Sequence, residues 1–245
     1  MRRLLLLLNR EVRGFLVSPV FWLFVSLAWF ITGLSFRYRI LPGSGGDVSG
    51  MILGAGVLAI QVQLIFVPLL TMRTISEEKR TGTFEMLVTT PAKDHEIVLA
   101  KFLAVFLMNS AIWLIIPAYF LLLGRLDADP DPGVVLTCYV GVALVGGVFT
   151  AAGILASSTT QHQILAGFLG VVLLTVLLFL PQLTAGLGGP VGRIVGQMVS
   201  VGNLDLQLRE AAAGLVDVVN LTYQLSLTAV LLLFSVRILE VRKWR

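Results

Sequence analysis

Six long apolar runs constrain this chain more than any other feature. They cover about Pro19–Phe36, Met51–Met72, Ile97–Leu123, Val134–Ala156, Gln163–Pro181 and Val218–Leu239. A helix of roughly 20 apolar residues crosses the roughly 30 Å hydrocarbon core of a bilayer while satisfying its own backbone hydrogen bonds. A transmembrane barrel would need short alternating segments, whereas these runs are apolar on every face. The expected fold is therefore an all-α polytopic membrane protein with six transmembrane helices. Composition agrees, with 57% of the residues hydrophobic and only 13% charged, against about 25% charged in a soluble domain.

Charge then orients the spans. An N-terminus on the cytoplasmic side places Arg2, Arg3, Arg10, Arg13, Arg73, Lys79, Arg80, Lys93, Lys101, Arg237, Arg242, Lys243 and Arg245 there, thirteen of the 18 basic residues. The other side keeps Arg37, Arg39, Arg125, Arg193 and Arg209 beside seven acids (Asp47, Asp127, Asp129, Asp131, Asp205, Glu210 and Asp217). Basic residues concentrate on the cytoplasmic side of membrane proteins, so both termini and the 72–96 segment are expected there. The net charge of +4 is explained by this asymmetry rather than by a nucleic-acid partner.

Residues 1–17 resemble a secretory leader only briefly, because the apolar core Leu4–Leu8 gives way at once to Asn9, Arg10 and Glu11. Wound as a helix, Leu4, Leu5, Leu8, Val12, Phe15 and Leu16 share a face, with Arg3, Arg10 and Arg13 largely elsewhere. That pattern predicts an amphipathic helix lying in the membrane interface. Residues 182–217 are too long for a turn and too apolar for a solvated loop. Val191–Val201 and Leu204–Val216 each read as short helices, re-entrant or capping the outer leaflet. Small residues four apart (Gly50 and Gly54, Gly147 and Ala151, Ala166 and Gly170) allow close helix approach, within one subunit or between two.

The chemistry inside the spans is sparse. Ion-coupled carriers place ionisable groups at depth, whereas the polar residues here are neutral: Gln61, Gln63, Asn109, Ser110, Thr175 and Gln224. These bond between helices or line a pathway. Neither HExxH nor GxSxG occurs in a span, and the sole cysteine, Cys138, has no histidine cluster to build a metal site with. No glycine is followed by lysine, which excludes a Walker A loop. The chain is expected to hold no cofactor of its own and to perform no catalysis.

The remaining chemistry lies between the second and third spans. Ser76, Glu77, Glu78, Lys79 and Arg80 form a charged turn able to continue the second helix beyond the membrane, and Gly82 permits a break. Phe84, Leu87 and Val88 recur as the apolar stripe of a short amphipathic helix. Pro91 disfavours helix at Thr90, and Asp94 suits the N-cap of the next helix. Apolar side chains among charges of both signs fit a headgroup interface, a groove on a soluble partner or an ordinary loop.

The stretch TMRTISEEKRTGTFEMLVTTPAKDHEIVLAKFLA resembles the segment between the second and third spans of ABC-2 type transporter permeases. The resemblance is closest to the subgroup of the gliding-motility-associated permease, related to the nitrous-oxide-reductase maturation permease. It extends to Ser18-Pro19, to GILASSTTQHQ from Gly153 and to the final span, so it covers essentially the whole chain as one domain. Ala100 stands where relatives often have Gly.

The resemblance implies a pair of six-span halves working with two copies of a separate ATP-binding subunit that holds ATP and Mg. The second half is another copy or a paralogue. It implies that Ser76, Glu77, Glu78, Lys79, Arg80, Gly82, Thr83, Phe84, Leu87, Pro91 and Asp94 belong to the segment that couples to this ATPase, beside the interfacial helix. It further implies that the short helices in 182–217 form an outer gate, that the protein sits in the bacterial inner membrane, and that gliding-motility-type relatives use a membrane-anchored auxiliary protein. A scaffold recruiting a cytoplasmic partner and a secondary carrier are the competing readings.

Overall fold

The computed structural model describes residues 2–40, 48–82, 94–124, 131–185, 202–215 and 217–242. Among these there is no strand, and six helices are long and apolar enough to cross a membrane. In chain order the helices are α1 (Arg2–Val17), α2 (Pro19–Ile40), α3 (Val48–Thr71), α4 (Ser76–Thr81), α5 (Asp94–Trp113) and α6 (Ile115–Gly124). They continue with α7 (Pro132–Thr159), α8 (Gln163–Ala185), α9 (Leu204–Ala212) and α10 (Val218–Arg242).

The bundle is arranged around α7, which packs against α3, α5, α6, α8, α9 and α10 and touches α4 at its end. Its sequence explains this position. Gly141, Gly146, Gly147, Ala151, Ala152, Gly153 and Ala156 are all buried, giving a smooth cylinder that other helices approach closely. In lipid that close approach, rather than water expulsion, holds helices together. Asp131 caps α7 by accepting the Gly133 N–H at 2.8 Å, with Pro132 in the first turn. Residue 131, expected in an acidic turn, therefore has a definite structural task.

Two of the expected spans carry local breaks. The third span is present over Asp94–Leu122, with a one-residue break at Leu114 where α5 ends at Trp113 and α6 begins at Ile115. Pro117 has no N–H to offer the Trp113 carbonyl, and the Trp29 indole N–H instead donates to the neighbouring Ile112 carbonyl at 2.8 Å. The second span likewise ends at Thr71, and a turn over residues 72–75 separates it from α4, which is a helix in its own right. Asp94 lies in the first turn of α5, beside Glu96.

Away from α4, α9 rests on the beginning of α7 and on α3, with Leu208 against Gly56 and Gly141. Thr137 donates to the Ala211 carbonyl at 2.8 Å, while Gln224 donates to Gln207 and Asn220 to Glu210, each at 2.6 Å. The expected helix at Leu204–Val216 is thus present in shorter form. The expected Val191–Val201 helix lies outside the described residues.

Candidate functional site

The end of the bundle opposite α9 gathers most of the charge. Residue Ile75, at the N-cap of α4, has no side-chain acceptor, leaving the first N–H groups of that helix without a local partner. The acceptor comes from α7: the Ser157 hydroxyl oxygen takes the N–H of Ile75 at 3.2 Å and of Ser76 at 3.1 Å. Conversely, the Lys79 ammonium donates to the Ser158 carbonyl at the close of α7. Ser76 donates through its hydroxyl to the Met72 carbonyl, and Gln163 of α8 donates to Glu77 at 3.3 Å. Gly82 ends α4 at φ +73°, a left-handed conformation that strains any residue with a Cβ. Acids in its first turn (Glu77, Glu78) and bases in its last (Lys79, Arg80) complement the helix dipole.

A second cluster joins α4 to α1 and α5. The Lys101 ammonium, only 2% exposed, lies 2.8 Å from Glu78 and 3.2 Å from Glu11. Arg10 closes the ring at 2.9 Å from Glu11 and 3.3 Å from Glu78. Burial opposes ionisation of Glu11, but Lys101 and Arg10 outweigh it and hold its pKa below the ordinary 4.5. Because the folded value is depressed, Glu11 contributes stability that is complete above the ordinary value and lost as pH falls through the depressed one. We therefore expect amide exchange in α1 to accelerate below about pH 4.5, relative to α10, with Glu11→Gln removing most of that step. An α1 exchange profile unchanged by Glu11→Gln would reject the assignment.

This cluster revises the face expected for α1. Leu4, Leu7, Leu8, Glu11, Val12 and Phe15 turn inward, whereas Leu5 and Leu16 are exposed. Leu7 replaces Leu5 on the protein side, and an acid sits in the middle of the stripe because Lys101 awaits it on α5. Arg10 and Arg13 are exposed as expected; Arg3 lies on α1, with its side chain outside the described residues. An open cleft of about 390 Å³ runs between α1 and α4, lined by Glu11, Phe15, Arg73, Glu77, Glu78 and Lys101 among others.

Of the coupling residues expected from sequence, Ser76, Glu77, Glu78, Lys79, Arg80, Gly82 and Asp94 are described, and Arg80 is exposed. Thr83, Phe84, Leu87 and Pro91 lie outside the described residues. Sequence reading overlooked Glu11, Ser157 and Ser158 as part of the site, and counted Lys101 only for orientation. One signal was visible: Glu11 is the only acid in the first 46 residues.

At mid-depth, Asn109 donates to Gln63 at 3.3 Å and Gln63 to the Val142 carbonyl at 3.4 Å, joining α5, α3 and α7. Both amides are buried, whereas Gln61 faces outward. The Ser110 carbonyl accepts the Tyr139 hydroxyl at 3.2 Å.

Six apolar helices, a small-residue axis and a charge-rich end wired into them define a multi-pass helical membrane protein. A family model for ABC-2 family transporter proteins matches residues 38–194, well over half of the chain, and the protein belongs to that family. It is a permease-type membrane subunit of a transporter. No curated protein matches the chain in sequence.

Proposed function

We propose that this chain is the permease half of an ABC exporter of the bacterial inner membrane, with α4 and both termini in the cytoplasm. Two copies, or one copy and a paralogue, form the pathway, and each docks one ATP-binding subunit on α4 and α1. ATP and Mg bind to that partner. The short helices at the other end act as the outer gate, and residues 1–245 work as one permease domain. The sequence resemblance to the gliding-motility and nitrous-oxide-maturation permeases supports this subgroup, with its membrane-anchored auxiliary protein.

The observation that carries the reading is the wiring of α4. A six-residue surface helix that served only as a spacer would need no contacts with the spans. Instead its side chains and backbone bond to α1, α5, α7 and α8. A push on α4 therefore reaches four helices directly.

The test is capture of an ATP-binding subunit when the chain is expressed together with its genomic neighbours. Tagged wild-type protein is expected to retain it through purification, and the triple variant Glu77→Ala, Glu78→Ala, Lys79→Ala to lose it while still inserting in the membrane. Failure of the wild type to capture an ATPase rejects the reading in favour of a scaffold or carrier.

A further inference from the structure

We propose that Ser157 is a positioning residue that makes α4 and the end of α7 one strut, delivering displacement of α4 to the axis of the bundle. The proposal rests on the functional reading above and adds to it the route by which force enters the spans. Every helix end leaves backbone groups without partners, and these must be satisfied from outside the helix. Here two ends satisfy each other. Ser157 supplies the acceptor for the opening N–H groups of α4, and Lys79 supplies the donor for the Ser158 carbonyl, where α7 closes.

Both serines are fully buried, so water has no access with which to replace the lost partners. Two bonds from one hydroxyl, with a third contact in the reverse direction three residues along α4, fix both the separation and the rotation of the two helices. The covalent link to α3 holds the same end of α4 from the other side, with Thr71, Thr74, Ile75 and Ser76 all buried. It passes through the turn at residues 72–75, where Met72 N–H bonds to the Pro68 carbonyl and Thr74 N–H to that of Thr71. The reciprocal cap cannot slide without exposing buried donors. Since α7 packs against six other helices, its movement is shared by the whole subunit.

The experiment uses the complex with its ATP-binding partner in lipid nanodiscs, probed by hydrogen exchange with and without ATP, Mg and vanadate. Capture by the wild type is scored first, and its failure overturns the functional reading and the strut together. In the captured wild-type complex, nucleotide is expected to change exchange in both residues 76–81 and residues 153–162. Ser157→Ala is expected to leave the change at 76–81 and abolish it at 153–162, with Ser157→Thr restoring it because the hydroxyl returns. Ser157→Cys, which keeps the side-chain volume and leaves only a weak acceptor, provides the same readout if Ser157→Ala does not fold. A wild-type response at 153–162 in these variants, or no restoration by Ser157→Thr, overturns the strut while leaving the docking of the partner intact.

Discussion

Replacing Lys101 by Met is expected to destabilise the protein by about 3 kcal/mol and to release α1 from the bundle. The ammonium is the buried centre of a ring in which Glu11 and Glu78 approach it from two different helices. Methionine keeps the length of the stem and removes the charge, so two carboxylates face each other without the ammonium between them. Breaking a buried ion pair from one side costs about 3–5 kcal/mol. The lower figure applies here because Glu11 and Glu78 are 16% and 20% exposed and Arg10 remains in place.

The discriminating variant is the triple replacement Lys101→Met, Glu11→Gln, Glu78→Gln. It removes these three charges together and is expected to recover most of the stability lost in the single variant, because the one charge left in the ring, Arg10, is 54% exposed and solvated. Denaturant titration of the purified protein in detergent measures both. A single variant as stable as wild type would show that the ring contributes nothing, and a triple variant no better than the single would show that packing, rather than charge, was lost.

How much of this was legible in the sequence depends on how local the cause is. The spans were legible because 20 apolar residues in lipid have one outcome, whatever their neighbours do. The break at Leu114 was not, although Pro117 was in plain view. Pro68 and Pro181 also lie inside spans, and α3 and α8 run through them without interruption. What distinguishes Pro117 is Trp29, which brings a donor to the Ile112 carbonyl from 83 positions away. The site behaved the same way. Glu77, Glu78 and Lys79 stood out as a charged run, but Glu11 lies 90 positions from Lys101, and Ser157 lies 82 from Ile75. A serine at the end of an apolar helix is common enough to carry no signal until the facing helix is known to begin at a residue that cannot cap itself.

Gly153→Val is expected to be the most damaging single change in the small-residue face of α7, destabilising by about 3 kcal/mol, the upper end of overpacking effects. A Cβ at position 153 would lie 2.9 Å from the Thr71 Cβ, closer than side chains approach one another. Thr71 cannot turn aside, since its hydroxyl already bonds to the Val67 carbonyl at 2.9 Å within the last turn of α3. The helices would have to separate. Position 153 stands one turn before Ser157 on the same face, so separation there draws the hydroxyl away from the start of α4. Gly153→Ala should cost less, and Thr71→Ala should restore only part of it, because the opposing Cβ remains.

Gly14→Ala is the control: it has open space around it, stands in a helix, and is expected to be neutral or slightly stabilising. Thermal unfolding of the three variants ranks them. Equal behaviour of Gly153→Val and Gly14→Ala would mean that α3 and α7 do not meet as closely as the strut between α4 and α7 requires.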